Sequence, residues 1–293
     1  MTAVDTSRQL TGNTKLWRYL SLDKLVNLLS TSALFFAPLS FFVKTDPFEG
    51  YLPAVAMNGL AELCRRPIRD LESFVPTLED HCKRAKRELT SDAREMLQHK
   101  LEDLRTTPKR FFQAIMQCQT VNCWHANDGE SEAMWRLYAD NGKAVAIETT
   151  VDTLKESIQS QESEHSVHIY PVKYLDFADE NLKPSDCAVE GHLMTPLLKR
   201  LSYRHENEVR AFIGRVPKDL LESGKIECWQ PAPVKLPVDV KALVKRVHVS
   251  PYSTDPFESS VTKICELLGL RAGVVEPSEM LSGQEDLLKP FDL

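Results

Sequence analysis

The chain has 293 residues, 42% of them hydrophobic and 27% charged, and its 36 Lys and Arg against 42 Asp and Glu give a formal net charge of −6. This composition can fill a full core, so it excludes disordered and collagen-like classes and predicts one large domain or two small ones. The longest nearly unbroken apolar stretch, residues 34–42, is far shorter than the roughly 18 residues that suggest a membrane span. We therefore expect a soluble protein without a membrane partner.

Two features favour the cytoplasm. The N-terminal residues 1–14 are polar and lack the apolar core of a secretion signal. The seven cysteines are an odd number and form no C-x-x-C pair, which is typical of reduced thiols rather than of a disulfide framework.

The chain is predicted to open with a strand, a helix and a second strand. Residues 16–20 and 34–37 have strand composition, and between them apolar residues recur at helical spacing behind Ser21, a suitable N-cap. Residues 46–49 (Asp-Pro-Phe-Glu) have the capping carboxylate, proline and acid of a helix start. Together with Thr45 they form the sequence Thr-Asp-Pro-Phe-Glu, which recurs at 254–258, where we also predict that a helix begins.

Residues 61–110 differ from the rest in composition. They hold 12 basic and 10 acidic residues, a local charge of +2 that leaves −8 for the remainder. Ser91 is a suitable cap for one helical segment and Pro108 for the opening of another. We predict a charged helical insertion over about 60–117. Its basic cluster at 83–87 is either a solvated helix face or a contact with phosphates.

The rest of the chain mingles strands and helices without the strict alternation of a parallel sheet. Strands are predicted at 120–125, 143–149, 167–174, 209–213 and 244–249, and helices at 131–139, 151–158 and 195–201. We therefore expect the α+β class, with a mixed, mainly antiparallel sheet flanked by helices. The expected organisation is a polar leader over 1–15, one domain over 16–270 that carries the insertion, and a C-terminal tail over 271–293.

Several catalytic motifs do not occur in the sequence. There is no phosphate-binding G-x-x-x-x-G-K-[ST] or G-x-G-x-x-G loop and no G-x-S-x-G nucleophile elbow. Cys118, Cys123 and His125 include metal-ligand residue types but lack a second pair downstream, so buried thiols are favoured over a zinc site or a cysteine nucleophile. We expect no metal site.

The first strand contains an arginine between two aromatic residues. Alternation places Arg18 on the sheet face opposite to Trp17 and Tyr19. An arginine within a strand is costly unless it pairs with an acid or meets an anion. Two interpretations of Arg18 therefore stay open. It forms a buried pair with an acid such as Glu49, or it binds an anionic ligand.

A second segment joins a strand to a helix through a polar bend. Trp124 and His125 end the strand, and Trp135 and Tyr138 form an aromatic stripe on the helix. Such a stripe is either core or a wall on which a ligand stacks.

The third segment, residues 203–210, enters a strand on which Glu206 and Glu208 share one face with Arg210 beside them. Two carboxylates on one face repel each other unless a cation lies between them. This pattern fits a site that stabilises an oxocarbenium ion or orients a hydroxyl, and it also fits two surface glutamates at a sheet edge.

These segments resemble the bacterial proteins catalogued as domain of unknown function 2971. The family opens with a Tyr-Arg-Tyr-like strand and an Asn-Asp-Pro-Phe-Glu segment, which correspond to residues 17–19 and 45–49. Its central Trp, followed by a Met-Trp-x-x-Tyr-Ala helix, corresponds to Trp124 with residues 134–139. Its Tyr-x-x-Glu-x-Glu-x-Arg strand corresponds to residues 203–210.

The resemblance covers about residues 16–268 apart from the insertion. Trp17 and Thr45 depart from the family's usual residues without removing a candidate catalytic group. The resemblance implies where the site lies more than which reaction it performs.

The layout is also similar to that of ADP-ribosyltransferases, which split NAD at its glycosidic bond. That similarity implies that Arg18 holds a pyrophosphate by bidentate hydrogen bonds, that Glu208 binds the ribose 2′-hydroxyl and that Glu206 orients the acceptor. It also implies an aromatic residue that stacks on nicotinamide, from Trp124, Tyr138 or Tyr203. The Ser-Thr-Ser strand of part of that superfamily is missing.

The leading hypothesis is an ADP-ribosyltransferase-like enzyme that consumes NAD as a toxin or phage-defence effector, with a nucleic acid or protein as acceptor. No cofactor is firmly implied, and NAD enters as a substrate. Catalysis is assigned to Glu206 and Glu208, and ligand binding to Arg18, Tyr19, Trp124, His125, Trp135, Tyr138, Tyr203 and Arg210.

Two alternatives stay open. One is a binding module without catalysis that holds a nucleotide, another small molecule or a protein. The other is a metal-dependent phosphodiesterase that uses Glu132, Glu206 and Glu208 around a divalent ion.

Overall fold

The computed structural model describes residues 1–139, 141–191, 195–214 and 232–283, with the side chains of residues 117 and 118 excepted. Its strands, in chain order, are β1 (Val4–Thr6), β2 (Lys15–Leu20), β3 (Ala33–Pro38), β4 (Thr120–Ala126), β5 (Val145–Thr150), β6 (Val167–Pro171), β7 (Lys173–Leu175), β8 (Leu198–Arg200), β9 (Glu208–Ile213), β10 (Val234–Pro237), β11 (Arg246–Val249) and β12 (Val275–Pro277).

The helices are α1 (Leu22–Thr31), α2 (Ala54–Arg84), α3 (Ser91–Cys118), α4 (Glu132–Tyr138), α5 (Val151–Gln159), α6 (Val240–Leu243) and α7 (Phe257–Leu267). Short 3₁₀ helices cover Leu39–Phe42, Pro184–Cys187, Thr195–Leu197 and Leu201–Glu206.

Within the described residues, ten strands form one mixed sheet in the order β1-β6-β9-β4-β2-β5-β11-β12, with β3 joined to β4 and β10 joined to β3. The pairs β1–β6 and β11–β12 are parallel and the other pairs of this sheet are antiparallel. The predicted α+β class with a mainly antiparallel sheet is therefore confirmed.

The sheet forks at β4. One edge of β4 pairs with β9 along its length from Thr120 to His125. The other edge pairs with β2 only at His125 and Ala126 and with β3 only at Thr120 and Val121. β2 and β3 both run antiparallel to β4 and share this one edge, so neither can pair along its full length. The two strands separate beside residues 122–124. β2 continues the sheet through β5, whereas β3 pairs with β10.

Side chains alternate between two faces of this sheet. One face, called the core face, carries Leu16, Ile147 and Val209, which pack with α1 and α5 in the largest apolar cluster. The other face, called the site face, carries His125 and Glu208, which are opposite each other across β4 and β9, and Trp17, which is opposite His125.

The helical insertion is an antiparallel hairpin of α2 and α3. Ion pairs of Glu72 with Arg105 and of Glu79 with Arg94 join the two helices, which fixes their antiparallel direction. Its buried residues, Ala56, Ala114 and Met116, lie where α2 begins and α3 ends. Most of the hairpin is exposed, so it extends away from the core. No helix in the described ranges is long and apolar enough to cross a bilayer.

Residues 46–49 do not begin a helix, contrary to the prediction from their capping pattern. Asp46 accepts hydrogen bonds from the Phe48 amide at 3.0 Å and from the Arg200 guanidinium at 2.7 Å, and Glu49 binds Arg210, so tertiary contacts use both carboxylates. The second copy of the segment does precede a helix, because α7 begins at Phe257.

Four further expectations need correction. The predicted helix at 195–201 is a 3₁₀ helix followed by β8, which pairs with β7. The predicted strand at 167–174 is divided into β6 and β7. Pro108 lies inside α3 rather than at a helix start, and Thr90 instead of Ser91 caps that helix by accepting a hydrogen bond from the Ala93 amide.

Strands also form in the predicted leader and tail. β1 lies within residues 1–15 and pairs with β6, and β12 lies within 271–283 and pairs with β11. Each has only three residues, which is too short for a clear alternation of apolar side chains. Residues 284–293 of the predicted tail lie outside the described residues.

Because the hairpin adds so little to the core, its removal should leave the fold intact. We expect that replacing residues 64–108 by a short Gly/Ser linker lowers the free energy of unfolding by no more than about 2 kcal/mol. In contrast, Ile147→Ala empties a fully buried position in the centre of the sheet and should cost about 2–5 kcal/mol. Urea denaturation followed by circular dichroism measures both. Loss of the cooperative transition on deletion would show that the hairpin holds the core together.

Candidate functional site

Arg210 is the centre of a buried cluster of charges on the site face. It is 2% exposed, and its Nε and Nη2 donate to the two carboxylate oxygens of Glu208, each at 3.0 Å. Its Nη1 donates to Glu49 Oε1 and to the Pro196 carbonyl, each at 2.6 Å. A buried guanidinium is tolerated when its donors are satisfied in this way.

Lys199 completes the cluster from β8. Its ammonium forms a short hydrogen bond with Glu206 and lies 3.4 Å from Glu208 Oε2 and 3.9 Å from Glu49 Oε2. Sequence reasoning missed Lys199, because the segment was assigned to a helix. We call Glu49, Lys199, Glu206, Glu208 and Arg210 the carboxylate cluster, in which three acids face two cations.

The two predicted catalytic glutamates differ in charge and access. Burial raises the pKa of Glu208, but the charges of Arg210 and Lys199 outweigh burial and lower this pKa to about 2. Burial and the charge of Glu208 hold the pKa of Glu206 above its usual range, although Lys199 opposes them. The Glu206 side chain is 22% exposed against 6% for Glu208. Glu206 is therefore the carboxyl that a ligand can reach and that takes up a proton more readily.

Arg18 lies at the fork between β2 and β4. Its guanidinium carbon is 5.6 Å from the centroid of the Trp124 ring, and the residue is partly exposed. It forms no hydrogen bond or ion pair with any residue that the structure describes. Glu49, the acid expected as its partner, binds Arg210 and Lys199 instead. Burial lowers the pKa of Arg18, and the neighbouring Cys123 and Tyr138 partly oppose this effect.

His125 presents a free nitrogen beside the fork. Its Nδ1 lies at hydrogen-bond distance from the Glu206 carbonyl, which can only accept, so Nδ1 carries the proton. The buried Nε2 has no hydrogen-bond partner in the described part of the chain. Burial lowers the pKa of His125, so the ring is neutral near pH 7 and Nε2 is an unsatisfied acceptor.

Helix α4 covers the site face through aromatic contacts. Tyr19 accepts a hydrogen bond from the Ser131 amide at 2.8 Å and contacts the edge of Trp135 with ring centroids 4.9 Å apart. Trp135 is fully buried, so its ring packs in the core and is not exposed to a ligand. Tyr138 is 44% exposed, and burial of its hydroxyl together with nearby Cys123 and Glu208 raises its pKa to about 12. Tyr138 therefore stays a neutral donor next to the carboxylate cluster.

Tyr203 links two of the segments singled out in the sequence. Its hydroxyl donates to the Thr45 carbonyl at 3.1 Å, and the Lys199 ammonium lies 4.8 Å from its ring centroid. This contact places the turn of residues 45–49 against the segment 203–210.

The structure gives no support to a metal centre. In the described part of the chain, no group of three or more His, Cys, Asp or Glu could hold a metal ion. Glu132 pairs with Arg136 at 2.8 Å and accepts from the Tyr252 hydroxyl at 3.0 Å instead. Burial raises the pKa of Cys123 well above its usual range, so its thiol is not an activated nucleophile. The Cys118 side chain lies outside the described residues.

Most of the predicted residues fall into two adjoining groups, and Tyr19, Trp135 and Tyr203 lie outside both. Glu206, Glu208 and Arg210 belong to the carboxylate cluster. The other group, which we call the fork site, consists of Arg18, Cys123, Trp124, His125 and Tyr138. Cys123 connects the two, because its thiol lies close to both Arg18 and Glu208.

One comparison with known proteins gives a match. Residues 134–211 match the family model described as "Protein of unknown function (DUF2971)". This match confirms the family resemblance inferred from the sequence, over a range that includes Tyr138 and the carboxylate cluster except Glu49. No curated protein and no solved structure matches the chain significantly. The similarity to ADP-ribosyltransferases therefore rests on the residues alone.

Removing Arg210 should expose how strongly the cluster depends on it. We expect Arg210→Leu to cost about 3–5 kcal/mol, because it leaves Glu49 and Glu208 buried without their main partner. The matched change Arg136→Leu removes an exposed pair and should alter the free energy of unfolding little. Urea denaturation at neutral pH measures both variants.

The same proteins should differ in acid. Because folding lowers the pKa of Glu208 from 4.5 to about 2, its contribution to stability is complete above about pH 4.5 and is lost as the pH falls toward 2. Arg210→Leu should flatten this part of the stability profile. An unchanged acid profile in that variant would contradict the assignment.

Proposed function

We propose that the protein binds an anionic, nucleotide-like ligand at the fork site. The observation that carries this proposal is Arg18, a partly buried guanidinium that packs over Trp124 and forms no ion pair with a described residue. An arginine stacked on an indole keeps the in-plane N–H donors of its edge available for a phosphate or carboxylate. An anionic ligand would supply the partner that the protein does not.

The neighbours of Arg18 suit the remainder of a nucleotide. The exposed ring of Tyr138 offers a stacking surface, and its neutral hydroxyl is a donor. A molecule with an anion and an aromatic ring would satisfy Arg18 and Tyr138. NAD is one such molecule, and the cytoplasm is the compartment that fits it.

Cleavage of NAD at the glycosidic bond is the second candidate function. It is favoured by Glu206, whose carboxyl is 22% exposed next to Tyr138 and is bound by Lys199 at one oxygen, whereas Arg210 holds both oxygens of Glu208. A carboxylate in this position would stabilise the positive charge that develops on the ribose as nicotinamide leaves. This proposal moves the main catalytic role from Glu208 to Glu206. A toxin or phage-defence role, and a nucleic acid or protein as acceptor, depend on this turnover.

Arg18→Ala tests ligand binding. We expect isothermal titration with NAD, ADP-ribose and AMP to show binding to the wild type and a loss of roughly 2–4 kcal/mol on Arg18→Ala, because the anion loses its bidentate partner. Arg204→Ala removes an exposed arginine at the edge of the cluster and should leave the affinity unchanged. Equal affinities for wild type and Arg18→Ala would place the ligand elsewhere.

Glu206→Gln tests cleavage. Incubation of the protein with NAD should release nicotinamide, and Glu206→Gln should lower the rate at least about tenfold with little change in thermal stability. Glu208→Gln should instead lower the melting temperature, because it weakens the bidentate pair with Arg210. Intact NAD after long incubation with wild type would leave binding as the function.

A further inference from the structure

A group of exposed cations lies at one end of the sheet, apart from the fork site. Lys15 is opposite Thr150 in the register of β2 and β5, and the Lys245 ammonium donates to Thr150 Oγ1 at 3.0 Å. Arg246 follows Lys245, and Arg271 donates to the Lys245 carbonyl at 3.2 Å.

A fifth cation extends this surface. The Lys241 side chain lies against Gly269, since its Cε would be 3.5 Å from a Cβ at that position, and Gly269 is close in sequence to Arg271. We call the surface formed by Lys15, Lys241, Lys245, Arg246 and Arg271 the basic patch. All five are exposed.

Most of this charge is not neutralised by the described residues. Lys15 and Arg246 each have a carboxylate partner at 3.5 Å, Glu148 and Glu276 respectively. Lys241, Lys245 and Arg271 form no ion pair with a described residue. In a chain of net charge −6, this concentration of cations without an acidic partner among the described residues creates a local positive potential.

The residue types of the patch favour phosphates over a protein surface. Lysine is depleted from protein–protein interfaces, whose binding energy comes largely from aromatic residues and arginine. Three of the five residues are lysines and none is aromatic. Long flexible cations without aromatic neighbours are typical of contacts with a nucleic-acid backbone, which fix position without reading bases.

We infer that the basic patch binds the phosphate backbone of nucleic acid without sequence preference. The patch begins at Lys15, three residues before Arg18 and roughly 10 Å from it along β2. Lys15 and Arg18 lie on opposite faces of β2, so the basic patch is a surface separate from the fork site. The inference does not depend on the ligand of that site.

The test is a salt series with a fluorescein-labelled mixed-sequence oligonucleotide, single-stranded and duplex, followed by anisotropy. The patch variant combines Lys241→Glu, Lys245→Glu and Arg271→Glu. The control combines Lys24→Glu, Lys100→Glu and Lys109→Glu, which changes the net charge equally at exposed positions elsewhere. Thermal melts establish that both variants are folded.

We expect wild type and control to bind with affinity that falls as salt rises. The patch variant should bind at least tenfold more weakly at low salt, and the slope of log K against log salt should fall by about one for each phosphate contact removed. Equal losses in both variants would show that only net charge matters and would overturn the inference. Equal binding of polyglutamate would assign the patch to acidic protein partners instead.

Discussion

The contact between Arg210 and the carboxylates around it constrains more of this structure than any other interaction. It joins β9 to the turn at Glu49, which precedes Arg210 by 161 residues, and to the backbone at Pro196. Because a buried charge must keep its partners, these segments are held in place even where their local sequence favours something else. Residues 46–49 do not form the helix start that their sequence favours, because Glu49 pairs with Arg210 instead of capping a helix.

Two arginines, on the strands that flank β4, show opposite uses of the same side chain. Arg210 has acceptors for Nε and for both terminal nitrogens within the protein, whereas Arg18 has an aromatic neighbour and no described acceptor. The difference follows from the fork. At β9 the sheet is continuous and the guanidinium is enclosed, but β2 leaves β4 after Trp17, so the Arg18 backbone has no partner on β4. Sheet topology thus separates the arginine that pairs within the fold from the one that we propose binds a ligand.

Local patterns in the sequence were sufficient for β2, α1, β4 and α4, because each has a clear alternation or helical period with a recognisable boundary. They also drew attention to residues 17–19 and 203–210, two segments that adjoin each other through Cys123. The sequence could not indicate that Glu206 and Glu208 would differ in pKa and exposure, because Glu206 lies just before β9 and Glu208 is its first residue. What separates them is Arg210 pairing with Glu208 and the position of Lys199, and Lys199 depends on β8, whose three residues are too few for a pattern. Partners that are distant in the chain, such as Glu49, leave no local signal at all.

The helical hairpin has a consequence for how the molecule moves through solution. A helix of 31 residues, the length of α2, is roughly 45 Å long at about 1.5 Å per residue, comparable to the diameter of a domain of this size. Since only the base of the hairpin is buried, the particle is elongated and its friction exceeds that of a sphere of equal mass. A monomer would elute early from a sizing column and could be mistaken for a dimer, so its mass is better taken from light scattering than from elution volume.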